Sequence, residues 1–540
     1  MAPAPLQCRP APRSTPRRRS GTRARRRPAD APRAAAAQVL ALDMGTSGCK
    51  ATLVAKDGSI ERRASVPYAS PTRVGSNGEV EQRPAEWLEA FAKASRECLK
   101  GYNGHVAAVV LAGTMQNTVV QNREACLMYS DVRARFEAKW CEAELGESVR
   151  HLNNYKGAAS VLAKWRWLAN NEPNLLDTGT LLFGAHSHVT YHLCDGMGVC
   201  DRTTAATTGL LDARTGEWAT WALDACDLDN ARLPTLMDAD ADLAEVTRAA
   251  ADRLGLPDAL VGARVIHGCG DLGATTLGAG ARTYLYLGTS GWVARTVGST
   301  TLASSSSEGI FDVLHPHTDK TIKAASMTTT GGAITWFADA ILNADLKELD
   351  RIAAEVPPGV GGTLFMPHLN GERSPFLDPN ARGAYLNLSS ATGKPELARA
   401  TLEGVALGYR SLMRCLRCDA PSSRLGEAGD VLPLVGGGAK SDLWPQILAD
   451  VLNVRIAAEP DSDAVAARGV AQLAFQALGE ADAFSLDCAD AADSCRIFVP
   501  NPKATRVYDA AFRVFERVYP MLQTAGVYDL AAPEEGLPKL

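Results

Sequence analysis

The chain has 540 residues, 46% of them apolar and 22% charged, with 13 Cys and a formal net charge of −5. That length exceeds what one hydrophobic core holds and calls for two large domains. No run of about 18 apolar residues offers a membrane-spanning helix. Residues 1–37 hold ten Arg against one Asp, a formal +9, which leaves −14 for residues 38–540. A body that acidic excludes wrapping nucleic acid, whose phosphates demand a basic face. It favours a substrate that is neutral or brings its own cation.

Residues 1–37 are rich in Arg, Pro and Ala and lack the apolar core of a secretory signal. This composition matches an organelle transit peptide, with a disordered basic tail as the alternative. Seven Pro in this stretch oppose the amphipathic helix of a mitochondrial signal, so chloroplast is the expected address, ahead of mitochondrion or cytosol. Ordered structure is expected from Gln38. The Cys are scattered, and the lone Cys415-x-x-Cys418 lacks the second pair a metal site needs, so buried reduced thiols are expected.

Gln38–Val54 reads as strand, turn, strand: an apolar run, then Asp43-Met44-Gly45-Thr46-Ser47-Gly48, then Cys49 to Val54. Pro84–Lys100 and Asp131–Glu144 have helical periodicity, and Val106–Ala112 and Leu127–Tyr129 read as strands. The opening grammar returns 243 residues later: strand Leu285–Leu287, turn Gly288-Thr289-Ser290-Gly291, strand Trp292–Arg295. Helices are expected over Pro395–Leu416, Asp442–Leu452 and Val465–Gly479. A β-β-β-α-β-α lobe used twice, with a cleft between, is the predicted architecture.

Four stretches carry chemistry. A Gly and hydroxyl hairpin such as Gly45–Gly48 offers backbone N–H groups to phosphate oxygens, and an acid on the preceding strand, Asp43, suits a hydrated Mg²⁺. A single such turn is ordinary, but two at matching positions suit the two ends of a phosphate chain. No Walker A motif is present. His267-Gly268-Cys269-Gly270-Asp271 follows the strand Ala263–Ile266. Asp271 there is either the carboxylate that accepts a hydroxyl proton during phosphoryl transfer or the N-cap of helix Leu272–Gly280. Bare sequence does not choose. The loop Phe365–Gly383 is too elaborate for a simple turn. Gly436-Gly437-Gly438-Ala439 leads from a strand into a helix N-terminus open to ligand.

Together these residues resemble the FGGY carbohydrate kinases of the actin-like ATPase superfamily, over about Val39 to Val518. The order DxGTSGxK (43–50), EQxPxEW (81–87), GxM (113–115), DxR (131–133), GxGD (268–271), LGTSG (287–291), NGERSP (370–375), DPxARG (378–383) and GGGAKSDLW (436–444) carries the likeness, closest to the xylulokinase branch. The resemblance implies an α/β fold of two actin-like, ribonuclease H-like lobes around a central nucleotide and sugar cleft. It divides the chain into an N-terminal domain at 38–284, a C-terminal domain at 285–525 and a tail at 526–540.

It also implies ATP and Mg²⁺, with Asp271 as general base and Asp43 facing the metal. Thr46, Ser47, Lys50, Gly288, Thr289, Ser290, Gly332, Gly437, Gly438, Ala439 and Asp442 would bind nucleotide, with Trp444 and Gln446 supporting the adenosine pocket. Met115, Gln116, Asp271 and Trp336 would face the sugar. The expected partners are sugar and ATP, without nucleic acid or membrane; a homodimer is an assembly the resemblance allows.

Three departures from the xylulokinase pattern bear on the sugar. Gln116 stands where His is usual, His186-Ser187 where Asp-Tyr is frequent, and the Lys-Leu-x-Trp signature is partial around Lys164–Trp167. The expected reaction is phosphorylation of a ketopentose, D-xylulose first and D-ribulose second, with glycerol and gluconate as further options. A sugar-independent actin-like ATPase and a non-catalytic sugar-binding regulator are the rival classes.

Overall fold

The computed structural model describes residues 37–176, 180–298, 302, 309–316, 320–416, 431–459, 461–480 and 495–531. The expected transit segment, Cys418 and most of the tail therefore lie outside the described residues. Ala37 onward forms one compact unit.

Two mixed sheets organise it. The first is built from β1 (Gln38–Met44), β2 (Gly48–Ala55), β3 (Ile60–Pro67), β4 (Val106–Gly113), β5 (Asp242–Glu245) and β6 (Arg264–Gly270), with helix α1 (Pro84–Cys98) between β3 and β4 and helix α2 (Asp271–Ala279) after β6. The strand order is β5-β6-β4-β1-β2-β3. The second sheet comprises β7 (Thr283–Leu287), β8 (Gly291–Val297), β9 (Phe311–Leu314), β10 (Thr321–Met327), β11 (Val431–Val435), β12 (Arg455–Ala458) and β13 (Arg496–Phe498), in the order β9-β10-β8-β7-β11-β12-β13. Helices α3 (Lys394–Cys415), α4 (Trp444–Leu452), α5 (Val465–Ala477) and α6 (Pro502–Thr524) complete the second half.

The duplication read from the sequence is present in the strand pairing. β1 is antiparallel to β2 and parallel to β4, and β7 repeats this with β8 and β11. β4 then pairs parallel with β6, as β11 does with β12, and each sheet ends on an antiparallel edge strand. The opening strand is apolar on both faces because both are covered. Leu40 and Leu42 point to a core with Trp87 and Phe91 of α1, while Val39 and Ala41 point to one with Val470 and Phe475 of α5.

That second contact crosses the expected boundary between the two halves. α5 lies within the predicted C-terminal domain yet packs under the first sheet, against β1, β4 and α2. The crossing is close. A Cβ on Gly278 would lie 1.8 Å from the Val465 carbonyl oxygen, and one on Gly469 2.1 Å from that of Ala274. The expected tail is also partly structured, since Val527–Ala531 forms a 3-10 turn that stacks Tyr528 on Tyr519.

Two predicted elements are shorter than read. The helix expected over Asp131–Glu144 starts at Arg135. Asp131 instead accepts from the Val80 N–H (2.7 Å) and pairs with Arg133, which holds the preceding residues as a loop. The strand Leu127–Tyr129 is reduced to Cys126–Leu127, after which Met128 and Tyr129 give their carbonyls to the buried Lys164 ammonium. Of ten described Cys, eight are buried and none is disulfide-bonded.

Candidate active site

β6 runs parallel beside β4 and stops at Gly270; α2 begins with Asp271. Glycine is needed at 268, where φ is +78° and a Cβ would lie 1.8 Å from the Leu111 carbonyl oxygen. Gly270 takes the N-cap position, so Asp271 is the first residue of the helix and not its cap. Its Oδ1 accepts from the Leu272 N–H at 2.8 Å. Met44, Gly113 and Gly270 stand in one row across β1, β4 and β6. Asp43 precedes that row and Asp271 follows it. Two strand spacings separate the acids' backbones, roughly 10 Å.

Burial pushes the Asp271 carboxyl up to about 7, and the negative charge of Asp43 adds to the rise. The Leu272 N–H, His186 and Arg373 pull it partly back. Asp43 is likewise raised by burial, with Lys50 opposing; the two are paired across the β1–β2 hairpin. The second half reaches the same place. Burial and then the charges of Asp43 and Asp271 raise the phenol of Tyr286 on β7, whose ring stacks on Trp292 at 3.7 Å.

Both Gly-Thr-Ser-Gly hairpins are tight. Gly45 N–H donates to Gly48 O (3.0 Å) and Gly288 N–H to Ser290 O (3.0 Å). Thr46, Ser47 and Lys50 are exposed, as a ligand-facing turn requires. The second hairpin rests on Thr330, Gly331 and Gly332, whose N–H groups donate to the carbonyls of Thr289, Gly288 and Thr289. Gly332 thus supports the turn holding Thr289 and Ser290. Further along, Gly436 has φ +93° and could not carry a Cβ, which would sit 2.6 Å from Leu287 O. Gly437 has open space around it, whereas Gly438 lies on the Leu287 side chain and Ala439 is buried.

Three residues expected in or behind the nucleotide pocket have protein partners of their own. Asp442 is exposed and pairs with Arg496 at 2.6 Å. Trp444 is buried, donating its indole N–H to Leu402 O, so it belongs to the core beneath the pocket. The Gln446 amide is spent on Asp450 and Val499 O. Arg496, which the sequence reading missed, also donates to Ala439 O and Ser441 O and so fixes the glycine turn. No motif marks it.

On the sugar side, Met115 lies against Gly270, where a Cβ would be 2.1 Å from its Sδ. Gln116 is buried at φ +63° and donates to Ala159 O at 3.3 Å. His186 is fully buried with Nε2 2.9 Å from Asp201 Oδ2. Asp201 also accepts from the N–H groups of Thr204 (2.8 Å) and Gly270 (3.4 Å). Burial alone would raise the Asp201 carboxyl, but the hydrogen bond and charge of His186, then His267 and Thr204, hold it down to about 2. The departure at His186 is therefore one end of a buried imidazole–carboxylate hydrogen bond that touches the strand end before Asp271. Asp201 was missed, although Asp201-Arg-Thr-Thr is a legible N-cap pattern. Trp336, half-buried, stacks its ring on Phe365 and packs against the core of the second half.

No group of three or more His, Cys, Asp or Glu among the described residues could hold an ion. The single, half-buried carboxylate of Asp43 fits a Mg²⁺ that arrives on phosphates and keeps its water. Two raised carboxyls beside two N–H-rich turns suit transfer of an anionic group to a hydroxyl.

Comparison with known proteins agrees with this arrangement. The FGGY family of carbohydrate kinases, N-terminal domain, matches residues 38–278, and its C-terminal domain matches 283–478. A xylulose kinase of Staphylococcus epidermidis is 26% identical over 496 residues, 89% of this chain and 96% of that protein. A gluconokinase of Bacillus licheniformis is 22% identical over 525 residues, 88% and 94% of the two chains. The crystal structure of xylulose kinase from Rhodospirillum rubrum superposes with a TM-score of 0.73 at 26% identity, covering 90% of this chain and 99% of that one. With both domains matched in order over most of its length, this chain belongs to the FGGY family of carbohydrate kinases.

Proposed function

We propose that this kinase transfers the γ-phosphoryl group of Mg-ATP to the terminal hydroxyl of a ketopentose, D-xylulose first and D-ribulose as the alternative. The observation that carries the reading is Asp271. It opens the helix that follows β6, lies close enough to Asp43 to feel its charge, and has a carboxyl raised to about 7, where a base can take a hydroxyl proton near neutral pH. Bound Mg²⁺ would neutralise phosphate charge, held through Asp43. Thr46, Ser47, Lys50 and Gly288–Ser290 would cradle the phosphates, Gly437 would face the adenosine, and Met115 and Gln116 would contact the sugar. The xylulose kinase relatives favour the ketopentose; the gluconokinase keeps gluconate in the panel. The expected plastid address motivates the D-ribulose alternative, and Gln116 and His186 leave the choice of sugar open.

The test is ADP release from Mg-ATP with D-xylulose, D-ribulose, L-ribulose, glycerol and gluconate, with Asp271→Asn alongside. Release should depend on one sugar and fall about 10²–10⁴-fold in the variant while ADP affinity is kept. Sugar-independent release would replace this reading with an ATPase. We further infer that residues 1–37 direct import into a chloroplast, from their Arg excess alone. A fluorescent fusion that stays in the cytosol would overturn that.

A further inference from the structure

Arg373 belongs to the loop Asn370–Pro375, and its backbone is clamped on both sides. Before it, the buried Glu372 carboxylate accepts from the Thr328 N–H (2.8 Å) and the Arg373 N–H (2.9 Å) through Oε1, and its Oε2 lies 2.9 Å from His368 Nδ1. After it, Ser374 N–H donates to Ser326 O (3.1 Å) and Ser374 Oγ accepts from Ser326 N–H (3.2 Å). The segment that holds Arg373, Ser326–Thr328, continues directly into Thr330 and Gly331, which hold the Gly288–Gly291 hairpin. Arg373 is therefore mounted on the same backbone as the second phosphate turn.

Its side chain leaves that mounting and crosses to the first half of the chain. The guanidinium carbon lies 5.2 Å from the ring centroid of Tyr129. Tyr129 is itself fixed, its N–H donating to Asn117 Oδ1 (3.1 Å) and its carbonyl accepting from Lys164. Among the described residues no carboxylate lies within ion-pair distance of the Arg373 guanidinium, whereas Arg351, Arg264 and Arg248 on the surface are each paired. Its charge is nonetheless felt at Asp271. An aromatic shelf orients a planar guanidinium without using up its N–H donors. A cation without an ion-pair partner, mounted on the backbone that holds an anion-binding turn and felt at the Asp271 carboxyl, matches one ligand chemistry, a phosphoryl group.

We propose that Arg373 is a further catalytic residue of this kinase, its guanidinium donating to a non-bridging oxygen of the γ-phosphoryl group as that group passes to the sugar. The proposal rests on the function given above. In the step, the bond from the γ-phosphorus to the β–γ bridging oxygen breaks and its electron pair leaves on ADP. The sugar oxygen bonds to phosphorus and its proton goes to Asp271. Arg373 exchanges no proton; it spreads charge that builds on the equatorial oxygens.

The experiment uses the full chain with Arg373→Ala, Arg373→Lys and Asp271→Asn, each checked for wild-type thermal melting. Arg373→Ala should lower kcat about 10²–10³-fold, leave KM for sugar and affinity for ADP within about threefold, and regain turnover when guanidinium is added at millimolar concentration. Lysine should restore only part, because it lacks the planar fork. ADP with aluminium fluoride, a mimic of the moving group, should bind at least about tenfold more weakly to Arg373→Ala than to wild type. Wild-type kcat in Arg373→Ala, or a loss that guanidinium does not rescue with aluminium fluoride binding unchanged, overturns the proposal. Asp271→Asn separates the two readings. Full turnover there removes the base while leaving the rescue and fluoride results to decide the arginine.

Discussion

Gly278→Ala tests whether the α2–α5 crossing positions the base. In a helix, Ala is favoured over Gly by about 1 kcal/mol, so the isolated helix would gain. In this fold the new methyl would lie 1.8 Å from Val465 O and 2.6 Å from Val465 C. An ordinary carbon–oxygen contact is about 3.3–3.6 Å, so the helices must part by roughly 1.5 Å. Both obstacles are backbone, which places the overpacking at the upper end of about 1–3 kcal/mol. The clash wins, with a net destabilisation of about 2 kcal/mol. Gly408→Ala is the matched control. Its methyl would meet Met327 Cε at 2.6 Å and Sδ at 2.7 Å, the far end of a flexible side chain, so stability should stay within about 1 kcal/mol of wild type. Urea unfolding followed by tryptophan fluorescence compares the two. α2 begins with Asp271, so parting the helices also moves the base, and kcat/KM should fall by about 10²-fold in Gly278→Ala alone. Equal midpoints and equal kcat/KM in the two variants would refute the reasoning.

Turnover should also depend on pH in a defined direction. The Asp271 carboxyl is raised by burial and Asp43 and lowered by the Leu272 N–H, His186 and Arg373, to about 7. The base works only when ionised, so kcat/KM should climb about tenfold per pH unit below 7 and level off above it. Stability runs the other way. The fold holds this proton more tightly than the unfolded chain, so stability falls as pH rises through 7. Asp271→Asn should show a smaller drop in melting temperature between pH 6 and 8. At the neighbouring buried contact, His186→Ala removes the partner of Asp201 Oδ2, while the Thr204 and Gly270 N–H groups remain on Oδ1, and should cost about 1–3 kcal/mol by denaturant unfolding. The His186→Ala, Asp201→Ala double variant should cost less than the two singles together.

Much of this arrangement was readable because it is local. The two Gly-Thr-Ser-Gly turns, the strands that flank them and the acid after Gly270 are each set by a few consecutive residues, and the repeated turn foretold the repeated sheet. What was not readable depends on partners far along the chain. Asp271 looked equally like a cap until the structure put Gly270 in that position. The stacking of Trp336 on Phe365, 29 residues on, was likewise not readable. Trp444 was drawn inward by the Leu402 carbonyl. Arg496 and Asp201 act through contacts 57 and 69 residues away, with Ala439 O and the Gly270 N–H, and nothing in their immediate sequence announces this.

The packing of α5 under the first sheet has a consequence for how the chain is made. Val39, Ala41, Ala108, Val110 and Ile266 form a face that stays open to water until Val465–Ala477 has been synthesised. The first half thus leaves the ribosome with its sheet uncovered on one side, a state prone to aggregation and suited to chaperone capture. A fragment ending near residue 284 carries that exposed face permanently. The two halves are successive in sequence, but the first is completed only by one of the last helices to emerge.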